Sequence, residues 1–291
     1  MSNLYNIQNK AFEISNLAIQ AIMYEVSCYP SPGLVSPVSN GAHMDMDYYT
    51  FIDSTSALIK YLILCVQKGL EEGENEDIFR QLRIIGIEAE KEMYIKTKGV
   101  NTHKGMLFLM GISCAAVGVA LRDNKSFSEL REIIKDMTKG IVNKDFSKLE
   151  GKNFNDLSYG EKLYLKYNIK GIRGEVEAGL PLVFDYSLSF YKSSSDLNIN
   201  ARLVHTLMGI MQYSEDTNII HRHSIKVLKE VNEKAKKIMT LGGMYTKEGR
   251  EAVENMTKEF IERNISPGGA ADLLAITVFF SLVEEYMKKL S

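Results

Sequence analysis

The 291-residue sequence has no tryptophan, only 5 prolines and only 3 cysteines. Cys28, Cys65 and Cys114 lie far apart, with no C-x-x-C pair and no histidine at zinc spacing, so neither a disulfide framework nor a cysteine zinc site is expected. An odd number of thiols at mostly apolar positions suits reduced core residues. Cys28 alone borders a Pro/Gly loop and is the one alternative candidate for a reactive thiol. Surplus positive charge is also missing. Lys+Arg 35 against Asp+Glu 37 leaves a net charge of -2, which removes the electrostatic case for a general nucleic-acid binder.

Two further absences narrow the class. No window of 18 uncharged apolar residues occurs, so no membrane span is expected. The opening residues MSNLYNIQNKAFEISN carry no basic segment followed by an apolar run, so no signal peptide is expected and the chain reads as cytoplasmic. Sustained period-two alternation of β-branched residues is absent, which argues against a sheet. What is present is helical spacing. Leu4, Ile7, Ala11, Ile14, Ala18 and Ile22 step by three or four, as do Phe51, Ser54, Leu58, Tyr61, Leu62 and Cys65. Further helices are expected at 76–96, 102–121, 127–143, 158–168, 174–192, 197–213, 222–241, 246–263 and 267–289. Four of the prolines, Pro30, Pro32, Pro37 and Pro267, fall in loops or at a helix start. The polar stretch 144–160 reads as a flap or an excursion between helices. The expectation is an all-α protein, a single compact multi-helical domain of roughly ten helices over residues 1–291.

Five segments interrupt this pattern with glycines beside ionisable residues. In PSPGLVS and GAHMDMD, Pro32-Gly33 dictates a turn, and His43, Asp45 and Asp47 follow just before a helix. Acids there can serve the helix dipole, or with a histidine hold a divalent cation. In GVNTHKG, Asn101 or Thr102 is a natural N-cap, yet capping does not require His103 or Lys104. A lysine in a first turn opposes the dipole unless an anion is bound. In GIRGE, Arg173 and Glu175 read either as a surface ion pair or as a phosphate clamp beside a general base. In EDTNIIHRH, Asp216 can cap a helix. His221 and His223 lie on different faces and read as solvated, while His205 reads as a satisfied core residue. In NISPGGAADLLA, Ser266 and Pro267 signal a helix start. Gly268 and Gly269 there permit close approach by a ligand phosphate or a neighbouring helix, with the ligand favoured.

Taken in order, PSPGLVS with GAHMDMD, GVNTHKG, GIRGE, DTN and SPGGAADLLA resemble the triphosphoribosyl-dephospho-CoA synthase family over residues 30 to 275. Ser31 and Ser36 stand where the usual first motif, P-K-P-G-L-V-D, has Lys and Asp. The resemblance implies an all-helical pentosyltransferase that moves a triphosphoribosyl group from ATP to the 2'-hydroxyl of 3'-dephospho-CoA and releases adenine. The product would pass to an acyl carrier protein holo-synthase serving citrate lyase or malonate decarboxylase, and a homodimer is possible for such an enzyme. The chemistry asks for phosphate neutralisation, a base for the hydroxyl, and negative charge near an oxocarbenium-like centre. Candidates for substrate binding are His43, Asn101, Lys104, Arg173, Asn218, Arg222, Ser266, Gly268, Gly269 and Asp272. Mg²⁺ accompanying ATP would be held partly by Asp45 or Asp47. Glu175 is the first candidate base and Asp216 the second, and His103 would protonate adenine or bind phosphate. A nucleotide glycohydrolase on the same scaffold and a catalytically silent nucleotide-binding paralogue are the alternatives.

Overall fold

The computed structural model describes residues 2–146, 157 and 159–290. Among these no strand forms, and one isolated bridge joins Ser36 to Ser39. The helices are α1 (Ser2–Ser27), α2 (Tyr48–Leu70), α3 (Asn75–Lys96), α4 (Lys104–Arg122), α5 (Leu130–Thr138), α6 (Ile141–Phe146), α7 (Tyr159–Tyr167), α8 (Gly171–Glu177), α9 (Leu188–Ser193), α10 (Ile199–Met211), α11 (Thr217–Arg222), α12 (Ile225–Thr240), α13 (Lys247–Glu262) and α14 (Gly268–Leu290). The all-α expectation holds. The stretch 144–160 lies largely outside the described residues.

α4 carries no charge between Lys104 and Arg122, so it is apolar on every face and can only be stable when surrounded. It runs through the middle of the molecule, packed by α1, α2, α3, α5 and α14, with all but Phe108 buried from Met106 to Ala120. Each buried Leu, Ile or Met there contributes roughly 1.5–3 kcal/mol. By length and composition α2 and α4 could each cross a membrane, but 78% of the apolar window of α4 is buried inside the protein. Cys28, Cys65 and Cys114 are all free and buried. Burial pushes the thiols up, Cys65 to about 12, so Cys28 is packed rather than reactive. His205 is also a core residue: its Nδ1 accepts from the Met244 amide at 3.2 Å, and its ring stacks on Phe190.

Three expected helices are divided, each for a local reason. The segment 127–143 opens as a short 3₁₀ turn started by the Ser126/Glu129 capping box, and it stops where Gly140 takes φ +75°. The segment 222–241 splits at Ser224, whose hydroxyl accepts from Val227 N and caps α12. The segment 174–192 ends at Glu177 because Gly179 and Leu180 are left-handed, at φ +76° and +53°. The fifth proline, Pro181, follows, and the chain resumes as a π turn, Leu182–Ser187.

Candidate active site

Two cavities flank α8 and share Ile172 as a common wall. The first, about 360 Å³, lies between α3 and α4 and is lined by Phe79, Leu82, Ile87, Leu107, Phe108 and Ile112, with Arg83, Glu90, Lys104 and Arg173 among its polar groups. The second, about 510 Å³, is bounded by α8, α11 and α14 and is lined by Lys170, Glu175, Glu215, Asp216, Thr217 and Gly269.

Arg173 and Glu175 do not pair with each other. The Arg173 Nε donates to Asp145 Oδ2 at 2.8 Å, and Asp145 also receives both terminal nitrogens of Arg83 at 2.8 Å. Burial works to raise the Asp145 carboxyl, and the two arginines overcome it and hold it below the usual carboxylate range. Glu175 turns the other way. Its Oε1 accepts from Leu182 N at 2.9 Å, a bond made possible by the chain break after α8. Burial, with Glu215 and Asp185 nearby, raises its carboxyl despite that bond. A half-buried carboxylate raised above its ordinary range and lining a cavity is a candidate for proton transfer.

Asp216 is a structural pin. As N-cap of α11, its Oδ1 accepts from Asn218 N and Ile219 N at 2.9 and 3.3 Å. Its Oδ2 accepts from Ala270 N at 3.0 Å, so one carboxylate caps two helices. Burial lifts it to about 6 against the pull of these amides. The expectation that Gly268 and Gly269 bring a ligand phosphate to the start of α14 is therefore corrected: the chain supplies its own anion there. A Cβ on Gly269 would lie 3.1 Å from the Asp216 carboxyl carbon, and one on Gly268 would lie 2.9 Å from Asn218 Nδ2. The glycines serve a neighbouring helix terminus. Ser266 does not turn inward as a cap either; its hydroxyl meets His43 Nε2 at 2.9 Å.

Lys104 has a partner in the first turn of α4, Glu90 of α3, at 2.6 Å. The dipole conflict read from the sequence is thus relieved within the chain, and it does not by itself call for a ligand. Asn101 Oδ1 accepts from Lys104 N at 3.2 Å, as a capping side chain should. His103 is buried behind α2. Thr102 donates to Ser54 Oγ, which leaves the Ser54 proton for His103 Nδ1 at 2.7 Å and puts the ring proton on Nε2. Nε2 is buried with no partner, and burial lowers the ring to about 4. At neutral pH His103 is an uncharged donor, which speaks against a charged acid for adenine and leaves Nε2–H as a neutral hydrogen-bond donor.

His43 forms a separate cluster. Its Nδ1 accepts from Arg222 at 3.2 Å, and Arg222 also donates to Ala42 O. Burial and then Arg222 lower the imidazole to about 4. Asp45 is 64% exposed and 3.9 Å from His43. Asp47 Oδ1 is engaged by Thr50 N and Oγ1 in the capping box that starts α2. With Arg222 on the imidazole and a helix on the Asp47 carboxylate, these residues do not fit a resident Mg²⁺ site. Among the described residues no group of three His, Cys, Asp or Glu is placed to hold a metal ion. His223 is exposed but bonds Asn264 O at 3.0 Å.

Nothing in the sequence marks Arg83, Asp145 and Glu215, whose roles arise only from tertiary contact. Glu25, 6% exposed, does carry a local signal: it follows Ala18, Ala21 and Ile22 on the buried face of α1 and is the one charge there. Burial raises it to about 8. Asp272 stands above the start of α4, where a Cβ on Gly105 would lie 2.2 Å from its Oδ2. Burial first, then Glu25 and Asp216, raise its carboxyl well above the ordinary value.

Comparison with known proteins shows the family to which the chain belongs. The family model described as CitG: ATP:dephospho-CoA triphosphoribosyl transferase matches residues 11–291. The "Probable 2-(5''-triphosphoribosyl)-3'-dephosphocoenzyme-A synthase" of Malonomonas rubra is 39% identical over 97% of this chain and 90% of its own length. The protein of the same name from Lactiplantibacillus plantarum is 40% identical over 92% of this chain and 96% of its own. "Protein CitXG" of Leuconostoc mesenteroides subsp. cremoris is also 40% identical over 92% of this chain, a match that spans 58% of that longer protein. With the motifs, the helical fold and a match across nearly its whole length in agreement, this chain belongs to the ATP:dephospho-CoA triphosphoribosyl transferase family.

Proposed function

We propose that the protein transfers the triphosphoribosyl group of ATP to the 2'-hydroxyl of 3'-dephospho-CoA. The bond between C1' of the donor ribose and N9 of adenine breaks, and a bond from the acceptor O2' to that C1' forms. The hydroxyl proton passes to Glu175, and adenine leaves with a proton taken up from solvent. The observation that carries this reading is the pair of cavities meeting at α8, one with carboxylates in excess and one with cations in excess, in a member of this family. A sugar centre that gains positive charge is stabilised by Glu175, Glu215 and Asp216, while Lys104 and Arg173 attract phosphates. ATP enters as its magnesium complex, so the metal comes with the substrate. The product then goes to a holo-synthase that loads an acyl carrier protein.

The test is mass spectrometry after incubation with ATP, Mg²⁺ and dephospho-CoA. A product with the mass of dephospho-CoA plus triphosphoribose is expected, together with free adenine. Adenine released from ATP alone, with no acceptor present, would instead identify a glycohydrolase.

A further inference from the structure

Both substrates of the proposed transfer carry an adenosine 5'-phosphate, so neither adenine nor ribose tells donor from acceptor. They differ at the other end. ATP continues as a highly charged triphosphate, whereas dephospho-CoA continues from a diphosphate into pantetheine, an uncharged arm with a gem-dimethyl group, two amides and a terminal thiol. A site that discriminates them needs one place where apolar surface lies beside a modest positive charge.

The cavity between α3 and α4 has that composition. Its lining is mainly Phe79, Leu82, Ile87, Leu107, Phe108, Ile112 and Ile172, and Arg83, Arg173 and Lys104 also border it. Asp145 and Glu90 offset part of that charge, leaving a surplus of one cation among these five groups, three positive less two negative. Its volume of about 360 Å³ lies at the lower end of the roughly 300–1,000 Å³ typical of small-ligand pockets. The cavity on the far side of α8 sets Glu175, Glu215 and Asp216 against Lys170, an acidic balance that disfavours a diphosphate. A second observation points to an occupant. Gly86 lies within α3 and lines this cavity, and a Cβ built on it would meet nothing within 4 Å. A mid-helix glycine costs about 1 kcal/mol relative to alanine, and no neighbouring atom of the protein occupies the space it leaves. Close approach of a ligand to the α3 backbone gives that space a use.

We infer that the α3–α4 cavity takes the pantetheine arm of the acceptor, with Arg83 and Arg173 facing its diphosphate. This rests on the transferase reading above. Asp145 pre-orients both guanidinium groups: its two oxygens face the Arg83 terminal nitrogens, and Oδ2 also accepts the Arg173 Nε. Arg83 thereby becomes a diphosphate-binding residue, and Gly86, with the apolar lining, the position that admits the acceptor's arm and so determines specificity.

Two variants test this by calorimetry with dephospho-CoA, ADP and ATP as separate probes. Gly86→Leu adds an apolar side chain at the cavity wall, starting from a Cβ that meets nothing within 4 Å. Ile87→Glu, at a position 55% exposed, places a carboxylate beside the cavity where folding tolerates it. Both should lower dephospho-CoA affinity by about tenfold or more while ADP and ATP, which lack the arm, change less than about twofold in Gly86→Leu. Unchanged dephospho-CoA affinity in folded Gly86→Leu and Ile87→Glu would overturn the inference. So would equal losses for ATP and dephospho-CoA in Gly86→Leu, which would mean that the cavity takes adenine. If wild-type protein forms the product while the variants bind dephospho-CoA normally, only this inference fails. If wild-type protein forms no product at all, the transferase reading fails with it.

Discussion

Arg173 and Glu175 stand two residues apart on one seven-residue helix, yet they face opposite electrical surroundings. Successive helical residues are about 100° apart, so i and i+2 project to nearly opposite sides. Arg173 joins Arg83 on Asp145, and Glu175 joins Glu215 and Asp216 in the other cavity. The lesson is that a short helix can be the partition of a site. The cationic side attracts phosphates, the acidic side manages a proton and a developing sugar cation, and α8 presents Arg173 to the first and Glu175 to the second. Substitutions on the two sides should therefore damage different kinetic quantities.

The largest effect is expected on the acidic side. Glu175→Gln keeps size and can still accept from Leu182 N, so ATP and acceptor binding should persist while single-turnover rates fall roughly 10²–10⁴-fold. A fall in binding of equal size would contradict the role, because Arg173 depends on Asp145 rather than Glu175 for its position. Next comes Asp216→Ala, which strips the cap from α11 and the shared bond from α14. A loss of about 1–3 kcal/mol in chemical denaturation is expected. Undiminished stability would show that solvent replaces both caps and that the partition's far wall does not need its pin.

Glu25→Gln should act with the opposite sign on stability. The folded state raises this carboxyl from 4.5 to about 8, so it binds a proton more tightly folded than unfolded. Its stabilising contribution is full below pH 4.5 and lost as pH rises through 8. The variant should flatten the decline in Tm between pH 6 and 9 and melt a few degrees above wild type, about 2–4 °C, at pH 9. His43 and His103, lowered from 6.5 to about 4, lose stability as pH falls through that lower window and do not interfere above it. A wild-type Tm independent of pH over this range would remove Glu25 from the account. The smallest effect belongs to the cationic side. Lys104→Ala breaks an exposed pair with Glu90, so stability should move by about 1 kcal/mol or less. Nucleotide affinity should fall several-fold, as read by calorimetry at low salt, where screening is weakest. Melting far below wild type with normal affinity would make Lys104 structural.

The helical class and the five interrupting segments were legible because periodicity and capping act over a few residues. Ser126, Ser224 and Asp216 cap where such residues are expected to. What sequence could not show was the identity of the anion at each helix start. Lys104 and the glycines at 268 and 269 announced that negative charge belonged nearby. Local spacing does not say whether a ligand or a distant side chain provides it, and Glu90 and Asp216 arrive from 14 and more than 50 residues away. Pro181 was the missed local signal: inside the apolar run 174–192 its meaning as a break was outweighed by the helical period. Arg83 and Asp145 left no trace, being ordinary charges on amphipathic segments until the fold brings Asp145 of α6 within reach of Arg83 of α3. The metal reading of Asp45 and Asp47 meets a simpler competitor for the Asp47 carboxylate. Acids before a helix serve the helix first, and Thr50 completes the box.

The break after α8 also leaves a natural reporter. The Leu182 amide donates to Glu175 Oε1 at 2.9 Å, and Pro181 before it has no N–H of its own. In a nitrogen–proton correlation spectrum its resonance should follow the charge on the carboxylate, because a hydrogen-bonded amide proton is deshielded more by an anion than by a neutral acid. One backbone signal would then give the titration of Glu175 in the ligand-free protein, and again with each substrate bound, without a label placed in the site.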